Sequence, residues 1–404
     1  MYPLRNAASL LIFVFFAFSL CIPSGYSWGG AALAVLALVT CNKWYRQLRL
    51  TKDFLSLAAV FLLMALVWGA NFDAENWWVL NDYFLKYFLA TLAFGCAVGL
   101  GVAGLYVIWG VTAGAVGAAA IAAYQVLYLH WDRANGFTNA IQFGGIALFL
   151  GFSCFVIALF FRHEWRWWKT AGVALCGVLG LVACLLSQTR GAWVAIPMIL
   201  LFMMWIFCRL EGRKVLLREG SAVLILVAVV IAVGYGKIEH RVAEAVQETQ
   251  AYFEDGVADT SVGQRWDHWK LAWEMGLDAP WTGWGNAGYQ IEKQKRVEQG
   301  DAALSTGSYG HAHNEMLDMF ARRGVVGLLA LLAFYAVPFL VFFRQMQWGS
   351  QRDSLKNCLA SLGMMLPICY VAFGFTQVFF AHNSGHLFYL FAIIALYAAS
   401  RKVS

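Results

Sequence analysis

The stretch that decides the fold is residues 140–161, which read AIQFGGIALFLGFSCFVIALFF and contain no charged side chain. As an α-helix this stretch would be about 33 Å long, enough to cross the hydrocarbon core of a bilayer. Similar apolar stretches recur along the 404-residue chain, which is 61% hydrophobic and only 13% charged. A soluble protein of this size carries roughly a quarter charged residues. Long uncharged runs with only 6 Pro favour helices over a barrel. We therefore expect an all-α polytopic membrane protein.

A window of about 20 residues predicts about twelve transmembrane helices. The predicted spans lie at residues 7–23, 28–42, 53–70, 84–101, 103–128, 140–161, 170–187, 191–208, 221–236, 324–343, 356–376 and 386–400. The first is interpreted as an uncleaved span and not as a signal peptide. This pattern divides the chain into helices 1–9 over residues 1–236, one large polar loop over residues 237–323, and helices 10–12 over residues 324–404.

The charge distribution predicts that both termini face the cytoplasm. In that orientation the inside segments carry 17 of the 29 Lys and Arg residues but only 5 of the 23 acids, as the positive-inside rule requires. The 237–323 loop then lies on the exterior or periplasmic side. The net charge of +6 needs no nucleic acid partner, because insertion alone produces such an asymmetry. None of the nine Cys lies between residues 237 and 312, so neither a disulfide framework nor a Cys-based zinc site is indicated.

Three short helices are predicted within the large loop. The first is marked by apolar residues at helical spacing and ends at Asp255-Gly256; these residues are Ile238, Val242, Val246, Thr249 and Phe253. The second begins at Ser261, which forms an S-x-x-Q capping pair with Gln264, and its Trp266, Trp269 and Trp273 suggest a position at headgroup level. The third begins near His313 and ends at Gly324.

Two arginines outside the spans are candidate anion ligands. Arg190 lies in the four-residue turn 187–190 between two spans, where an exterior cation opposes the positive-inside tendency. Arg265 lies in the first turn of the Trp-rich helix, where the helix dipole disfavours a cation but welcomes an anion. The alternatives are an Arg190 that reaches lipid phosphates and an Arg265 on a solvated helix face. His268 and Lys270 nearby are interpreted as ordinary surface residues.

The sequence His311-Ala312-His313-Asn314 supplies a candidate general base. A helix N-terminus disfavours protonated histidine, so the imidazole stays neutral and able to accept a proton. A metal site or a purely structural pair are the alternatives; no third ligand is close in sequence. Asp73 and Glu75, in the loop from Asn71 to Tyr83, are a second candidate site, as a general base or metal ligands, although a solvated loop with interfacial Trp77 and Trp78 is the preferred interpretation.

Three motifs together resemble a known family. His313-Asn314, then nine intervening residues and Gly324-Val325-Val326-Gly327, matches the pattern H-[NSQ]-x9-G-x-x-[GTY] of the O-antigen ligases of Gram-negative bacteria. Residues 187–191 (SQTRG) resemble the S-x-[ST]-R-[GA] turn of the broader O-antigen ligase and polymerase superfamily. Arg265, followed by Pro280 and the turn 283–285, is similar to the stretch that precedes the His motif there.

The resemblance implies a glycosyltransferase of the bacterial inner membrane with a periplasmic active site. Such ligases transfer O-antigen polysaccharide from undecaprenyl diphosphate to a sugar hydroxyl of lipid A-core, without a cofactor or a metal. It implies that His313 is the catalytic base and that Arg190 and Arg265 bind the diphosphate, with Gly324 and Gly327 structural. Residues with a weaker assignment to the site are Lys86, His311, Asn314, Arg322 and Arg323. Lys86 is a further diphosphate candidate, and Arg322 and Arg323 would contact acceptor phosphates or lipid.

Two other functional interpretations stay open from the sequence. An O-antigen polymerase or a protein O-oligosaccharyltransferase of the same superfamily would use the same donor with another acceptor. A transporter of lipid-linked oligosaccharides would also have about twelve spans, but it would place charged or helix-breaking residues near the bilayer midplane. Essentially no charged residue falls in the middle of a predicted span, which favours the enzyme.

Overall fold

The computed structural model describes residues 2–69, 77–212, 217, 220–349 and 352–401. In these ranges the regular elements are helices, and no strand is present. The expectation of an all-α polytopic membrane protein is confirmed.

Fifteen helices of more than ten residues lie in the described ranges. They are α1 (Tyr2–Phe18), α2 (Gly25–Val39), α3 (Lys52–Gly69), α4 (Trp77–Leu100), α5 (Gly104–Ala123), α6 (Ala140–Phe161), α7 (Trp167–Leu186), α8 (Ala195–Glu211), α9 (Ser221–Val233), α10 (Tyr235–Asp255), α11 (Gly263–Asp278), α12 (Gly285–Gln299), α13 (Glu315–Gln345), α14 (Ser354–Gly374) and α15 (Asn383–Ser400). Single helical turns occur at Cys41–Trp44, Arg190–Trp193 and Leu304–Gly307.

Nine helices in the described ranges are long and apolar enough to cross a membrane. They are α3 to α8 and α13 to α15, with the Arg190–Trp193 turn leading into α8. Helices α1 and α2 are apolar but shorter, and α9 forms a bent pair with the segment that follows it. These three coincide with the remaining predicted spans, so twelve stays a prediction for the number of crossings.

The centre of the bundle is built by α6, α14 and α15. About nine-tenths of each of these spans is buried inside the protein, so their side chains pack against other helices and not against lipid. Small residues allow the closest approach: a Cβ added at Gly180 of α7 would lie 2.6 Å from the Cα of Gly151 in α6. Backbones this close are typical of helix pairs in membranes.

The predicted helices of the large loop are confirmed, with corrections at their ends. Helix α10 ends, as expected, before Gly256, which adopts the left-handed conformation of a C-terminal cap (φ 70°). The predicted S-x-x-Q cap of α11 is wrong: its helix begins at Gly263 without a side-chain cap from Ser261. Instead Gly263 N donates to Thr260 Oγ1 (3.0 Å) and Val262 N donates to Glu248 Oε2 of α10 (2.8 Å).

Helix α13 joins the large loop to the membrane bundle. It begins at Glu315, and its helical geometry is interrupted at Gly324 (φ 61°, ψ −161°) before it continues as a span. A small apolar core of residues from α11, α12 and the start of α13 packs the loop helices together; it contains Leu271, Ala272, Met275, Tyr289, Ala312 and Ala321. The residues around His313 therefore lie where this small core meets the bundle.

Candidate functional site

The turn that carries His313 is held by the N-terminus of α13. Asn314 is the N-cap, and its side-chain oxygen accepts hydrogen bonds from the backbone N–H groups of Met316 and Leu317, both at 3.1 Å. Ala312 N donates to Asp318 Oδ1 at 2.9 Å. Between them His313 adopts a left-handed conformation (φ 51°), which costs a residue with a side chain about 1–3 kcal/mol and is found most often at functional sites. The motif residue Asn314 thus fixes the backbone from which the imidazole projects.

The hydrogen bond to Gln377 determines which nitrogen of His313 is free. His313 Nδ1 lies 2.8 Å from Gln377 Oε1, and because an amide oxygen can only accept, Nδ1 carries the hydrogen in this arrangement. The lone pair is then on Nε2. Burial lowers the pKa of His313 below 6.5; the Gln377 bond opposes this shift and the positive charge of Arg265 adds to it. A neutral imidazole with a free Nε2 is what a general base requires.

Three further histidines surround His313. Its ring centroid lies 4.4 Å from that of His311 and 5.5 Å from that of His268, and His311 lies 5.8 Å from His382. Burial lowers the pKa of His311 to about 4 and that of His268 to about 3. The interpretation of His268 as a surface residue is wrong, because this residue of α11 is fully buried. Lys270 is exposed, as expected.

Four arginines converge beside this histidine cluster; we call them the arginine cluster: Arg133, Arg190, Arg241 and Arg265. Arg190 donates to the backbone carbonyl of Arg241 and to Ser261 Oγ, both at 3.1 Å. Arg133 donates to the carbonyl of Ser187 (2.9 Å). The backbone N–H of Arg265 donates to the carbonyl of Val262 (3.0 Å), but its guanidinium group makes no hydrogen bond or ion pair with any residue that the structure describes. Because these partners are uncharged, most of the positive charge of the arginine cluster is not balanced by acidic groups among the described residues.

Burial and the neighbouring positive charges lower the pKa values of two arginines in the cluster. Burial lowers the pKa of Arg133, and the charges of Arg241 and Arg190 lower it further. Burial also lowers the pKa of Arg265, with Arg190 as the next cause, whereas Glu248 opposes the shift. The only ion pair of the cluster among the described residues joins Arg241 to Glu244 at 3.1 Å. Cationic groups that repel one another in this way would be stabilised by a bound polyanion.

The histidine and arginine clusters adjoin through α11. Trp269 of this helix donates from Nε1 to the carbonyl of His313 (3.4 Å), and Arg265 lies one turn earlier on the same helix. Arg265 is close enough for its charge to lower the pKa of His313. A ligand with an anionic group on the arginine cluster would therefore lie close to His313.

Arg322 and Arg323 are buried within the protein. Arg322 pairs with Asp318 (2.8 Å), lies 4.2 Å above the ring centre of Tyr289 and donates to the carbonyl of Gly310. Arg323 donates to the carbonyl of Trp68 at 3.2 Å. The Arg322 contacts hold the loop before His313 in place. A role for these two arginines toward acceptor phosphates or lipid stays a prediction.

Lys86 lies at the end of a membrane span, near the loop between α14 and α15. Its ammonium group pairs with Asp82 and donates to Asn383 Oδ1 at 2.8 Å. Asn383 follows His382 in sequence, so Lys86 is adjacent to the histidine side of the site and not to the arginine cluster. Its role in diphosphate binding stays a prediction.

The two motif glycines permit close packing around the start of α13. A Cβ at Gly324 would lie 2.3 Å from the carbonyl carbon of Trp281, and Val325 N donates to the carbonyl of Pro280 at 2.7 Å. A Cβ at Gly327 would lie 2.1 Å from that of Arg323. The turn at 280–284 therefore packs directly on the backbone of α13, and only glycine fits at these contacts.

An apolar cavity lies beside the Arg190 turn. It has a volume of about 260 Å³ and opens between α6, α7, α8 and α9. Its lining includes Trp193 and Ile196, three and six residues after Arg190, together with Leu185 and Val230. The arrangement can accept a hydrocarbon chain next to an anion site.

No group of three or more His, Cys, Asp or Glu residues in the described part of the chain is arranged to hold a metal ion. Asp73 and Glu75, the alternative site from the sequence, lie outside the described residues.

Arg133, Arg241 and Gln377 are site residues that the sequence did not single out. Arg133 contacts residues more than fifty positions away, and Gln377 is 64 positions from His313. One signal was available for Gln377: it is a polar residue directly after the predicted span 356–376.

Comparison with known proteins agrees with this site. Residues 175–332 match the family described as O-antigen ligase, a segment that contains Arg190, Arg265 and His313. The predicted resemblance to the O-antigen ligase superfamily is confirmed by this match. A protein of Haemophilus influenzae described as "Uncharacterized protein" is 25% identical over 393 residues, which is 96% of this chain and 96% of the relative.

Proposed function

From the match of residues 175–332 to the O-antigen ligase family, we propose that this protein is an O-antigen ligase. It transfers O-antigen polysaccharide from undecaprenyl diphosphate to a sugar hydroxyl of lipid A-core, at the periplasmic face of the bacterial inner membrane. The observation that carries the proposal is the pairing of a neutral His313, whose Nε2 is free, with an adjoining arginine cluster that has little compensating charge.

The arginine cluster binds the diphosphate of the donor. Arg190 and Arg265 are the principal ligands, because their guanidinium groups have no acidic partner within hydrogen-bonding distance among the described residues. Planar guanidinium groups bind phosphate oxygens in pairs. Arg133 completes the site from the loop between α5 and α6. The apolar cavity beside Trp193 receives the first part of the polyprenyl chain.

Transfer is a direct displacement with inversion at the anomeric carbon. The acceptor hydroxyl oxygen attacks this carbon while Nε2 of His313 removes the hydroxyl proton. The bond from the anomeric carbon to the diphosphate oxygen breaks, and its electron pair leaves with undecaprenyl diphosphate. The arginines stabilise the negative charge that develops there. His313 later releases its proton to solvent, so no covalent enzyme intermediate forms.

Gln377 and Asn314 position the base and do not react. Gln377 holds Nδ1, so that the ring presents Nε2 to the acceptor. Asn314 holds the turn through its two bonds to the α13 backbone. Arg322, Lys293 and Gln290 hold the preceding loop, because they donate to the carbonyls of Tyr309 and Gly310.

The decisive experiment compares His313→Ala with His311→Ala in purified protein. General base catalysis contributes typically about 10²–10⁴-fold, so His313→Ala should lose transfer by that order in a single turnover while it still binds the lipid-linked donor. His311→Ala should retain most of the activity. Full transfer by His313→Ala, or loss confined to His311→Ala, would reject the assignment. An assay with lipid A-core or with a second lipid-linked O-unit as acceptor separates a ligase from a polymerase.

A further inference from the structure

Helix α10 separates apolar from polar residues, and its apolar face is uncovered. Val242, Val246 and Phe253 lie within about 40° of one another around the helix axis. Their exposed fractions are 51%, 52% and 65%. Phe253 has an edge contact with Trp266 at 5.4 Å between ring centroids, but most of its ring remains open. This face is too apolar and too regular for a helix surrounded by water.

The preceding helix places α10 beside the lipid. Helix α9 is apolar from Ala222 to Val233 and packs along the span α7, with Val229 and Val233 exposed by 52% and 81%. Between Val233 and Ile238 the helix direction turns by 74°. Helix α10 therefore leaves α9 at a steep angle, close to the level at which α9 ends. The exposed Tyr235 at the turn connects the apolar surface of α9 to that of α10.

We infer that α10 is an interfacial helix whose apolar face, Val242, Val246 and Phe253, is embedded in the membrane leaflet on the side of the large loop. The helix cannot be a span, because seven of its 21 residues are charged. A high contrast between apolar and charged faces at low overall hydrophobicity is typical of helices that lie in the interface plane. Continuity with the lipid-facing surface of α9 favours lipid over a second copy of this chain.

The polar side of α10 contacts both elements that carry the principal arginines: the turn with Arg190 and the start of α11, which carries Arg265. The carbonyl of Arg241 accepts from Arg190 (3.1 Å), and Arg241 Nη2 donates to Gln188 Oε1 (3.2 Å) in the turn between α7 and α8. Glu248 accepts from Val262 N at the start of α11 (2.8 Å). An embedded α10 thus fixes the arginine cluster at a set height above the lipid. This second step rests on the proposed function, in which the ligand is a lipid diphosphate.

Photo-crosslinking tests the insertion without reference to activity. A benzophenone side chain is placed at residue 246, or at the neighbouring residue 247 as a control, in the full chain in phospholipid nanodiscs. Gln247 is exposed but lies about 100° away around the helix. Residue 246 should give phospholipid adducts by mass spectrometry several times more often than residue 247. Equal yields, or a dimer crosslink at residue 246 in place of lipid, would overturn the inference.

Transfer assays test the link between α10 and the arginines. Val246→Asp places a charge in the interface and should weaken apparent affinity for the membrane-embedded donor by roughly tenfold, a free-energy change of about 1.4 kcal/mol. Gln247→Asp should leave it unchanged. Lipid adducts at residue 246 together with normal transfer by Val246→Asp would overturn the link alone. If the wild-type protein shows no ligation, the proposed function fails while the crosslinks still decide the insertion.

Discussion

At the scale of single residues, under the proposed function, the hydrogen bond that His313 Nδ1 donates to Gln377 adjusts the pH dependence of transfer. A general base works when it is unprotonated, so activity should fall as pH drops through the pKa of His313. That pKa is lowered below 6.5, mainly by burial, which keeps the base neutral at pH 7. The Gln377 bond raises the pKa. Gln377→Leu should therefore move the acid limb to lower pH and reduce the maximal rate, because the ring loses its anchor.

Gln377→Glu is the matched variant for this prediction. A carboxylate accepts the same Nδ1 hydrogen and favours the imidazolium, so the acid limb should move to higher pH. Rate profiles measured between about pH 5 and 8 distinguish the two variants. Unchanged profiles in both would mean that Gln377 does not position the base.

The arginine cluster gives a second prediction at this scale. Arg190→Lys and Arg265→Lys keep the charge but lose the planar fork, and hydrogen bonds to charged groups are worth about 1.5–3 kcal/mol. Each variant should lose about 10- to 100-fold in kcat/KM for the lipid-linked donor, with normal protein abundance. The control is Arg296→Lys, because Arg296 pairs with Asp278 (2.5 Å) and Glu292 (2.9 Å) away from the cluster. Near wild-type ligation by Arg190→Lys would favour a lipid contact instead.

At this scale, the sequence predicted only those site residues that lie next to a recognisable local pattern. Arg190 and His313 are recognisable because a tight turn or a helix start lies next to them. Arg133 and Gln377 act only through contacts that the fold creates, with Ser187 and His313 respectively. His268 was misjudged because a histidine among tryptophans at helical spacing does not reveal which face of the helix the loop covers.

At the scale of elements, the crossing of the 280–284 turn over α13 positions the helix that begins next to His313, the proposed base. Gly283 (φ 66°) and Gly324 (φ 61°) meet backbone atoms of the opposite segment, and a Cβ at Gly324 would lie 2.3 Å from Trp281. Gly324→Ala should destabilise the protein by at least about 1–3 kcal/mol from backbone strain alone. It should also reduce transfer, because α13 carries the cap of the His313 turn.

Gly300→Ala is the control for Gly324→Ala. Gly300 also has a positive φ (85°), but a Cβ there meets no atom within 4 Å. It should cost about 1–2 kcal/mol and leave transfer unchanged. Thermal unfolding in detergent and single-turnover transfer measure the two effects. Equal losses of stability and activity in both variants would refute the role assigned to the crossing.

Helix positions were more predictable than helix ends. Long apolar runs with few or no charges located the spans, and periodic spacing located α10. The predicted cap of α11 was wrong because the backbone N–H of Val262 donates to Glu248 of another helix. No local sequence motif indicates such a contact. The continuation of α13 through Gly324 into a span joins two elements that the sequence presents separately.

At the scale of the whole molecule, the charge asymmetry predicts sidedness. A reporter fused after Glu254 should be active only in the periplasm, and one fused after Gly212 only in the cytoplasm, because positive loops are retained inside. Activity of both fusions in the same compartment would mean that α9 does not separate them. The reverse pattern would place the arginine cluster in the cytoplasm and contradict the proposed donor.

Metal independence of the proposed transfer is a further prediction at this scale. Two or more arginines supply the positive charge that Mg²⁺ would otherwise bring to a diphosphate. Purified protein should therefore keep its transfer rate in excess EDTA, measured with the lipid-linked donor. If EDTA abolishes turnover and Mg²⁺ or Mn²⁺ restores it, Asp73 and Glu75 become the leading site.

The support of the His313 loop by α12, a helix outside the arginine cluster, has a consequence for how the proposed activity diversifies. Helix α12 supports the loop before His313 through Lys293 and Gln290, but in the described part of the chain it has no hydrogen bond with any of the four clustered arginines. Under the proposed function, exchange of residues 285–307 between relatives would change which hydroxyl reaches Nε2 and leave recognition of the diphosphate carrier intact. New glycan products would then arise from one short, replaceable segment, while the energy-rich donor and its membrane carrier stay the same.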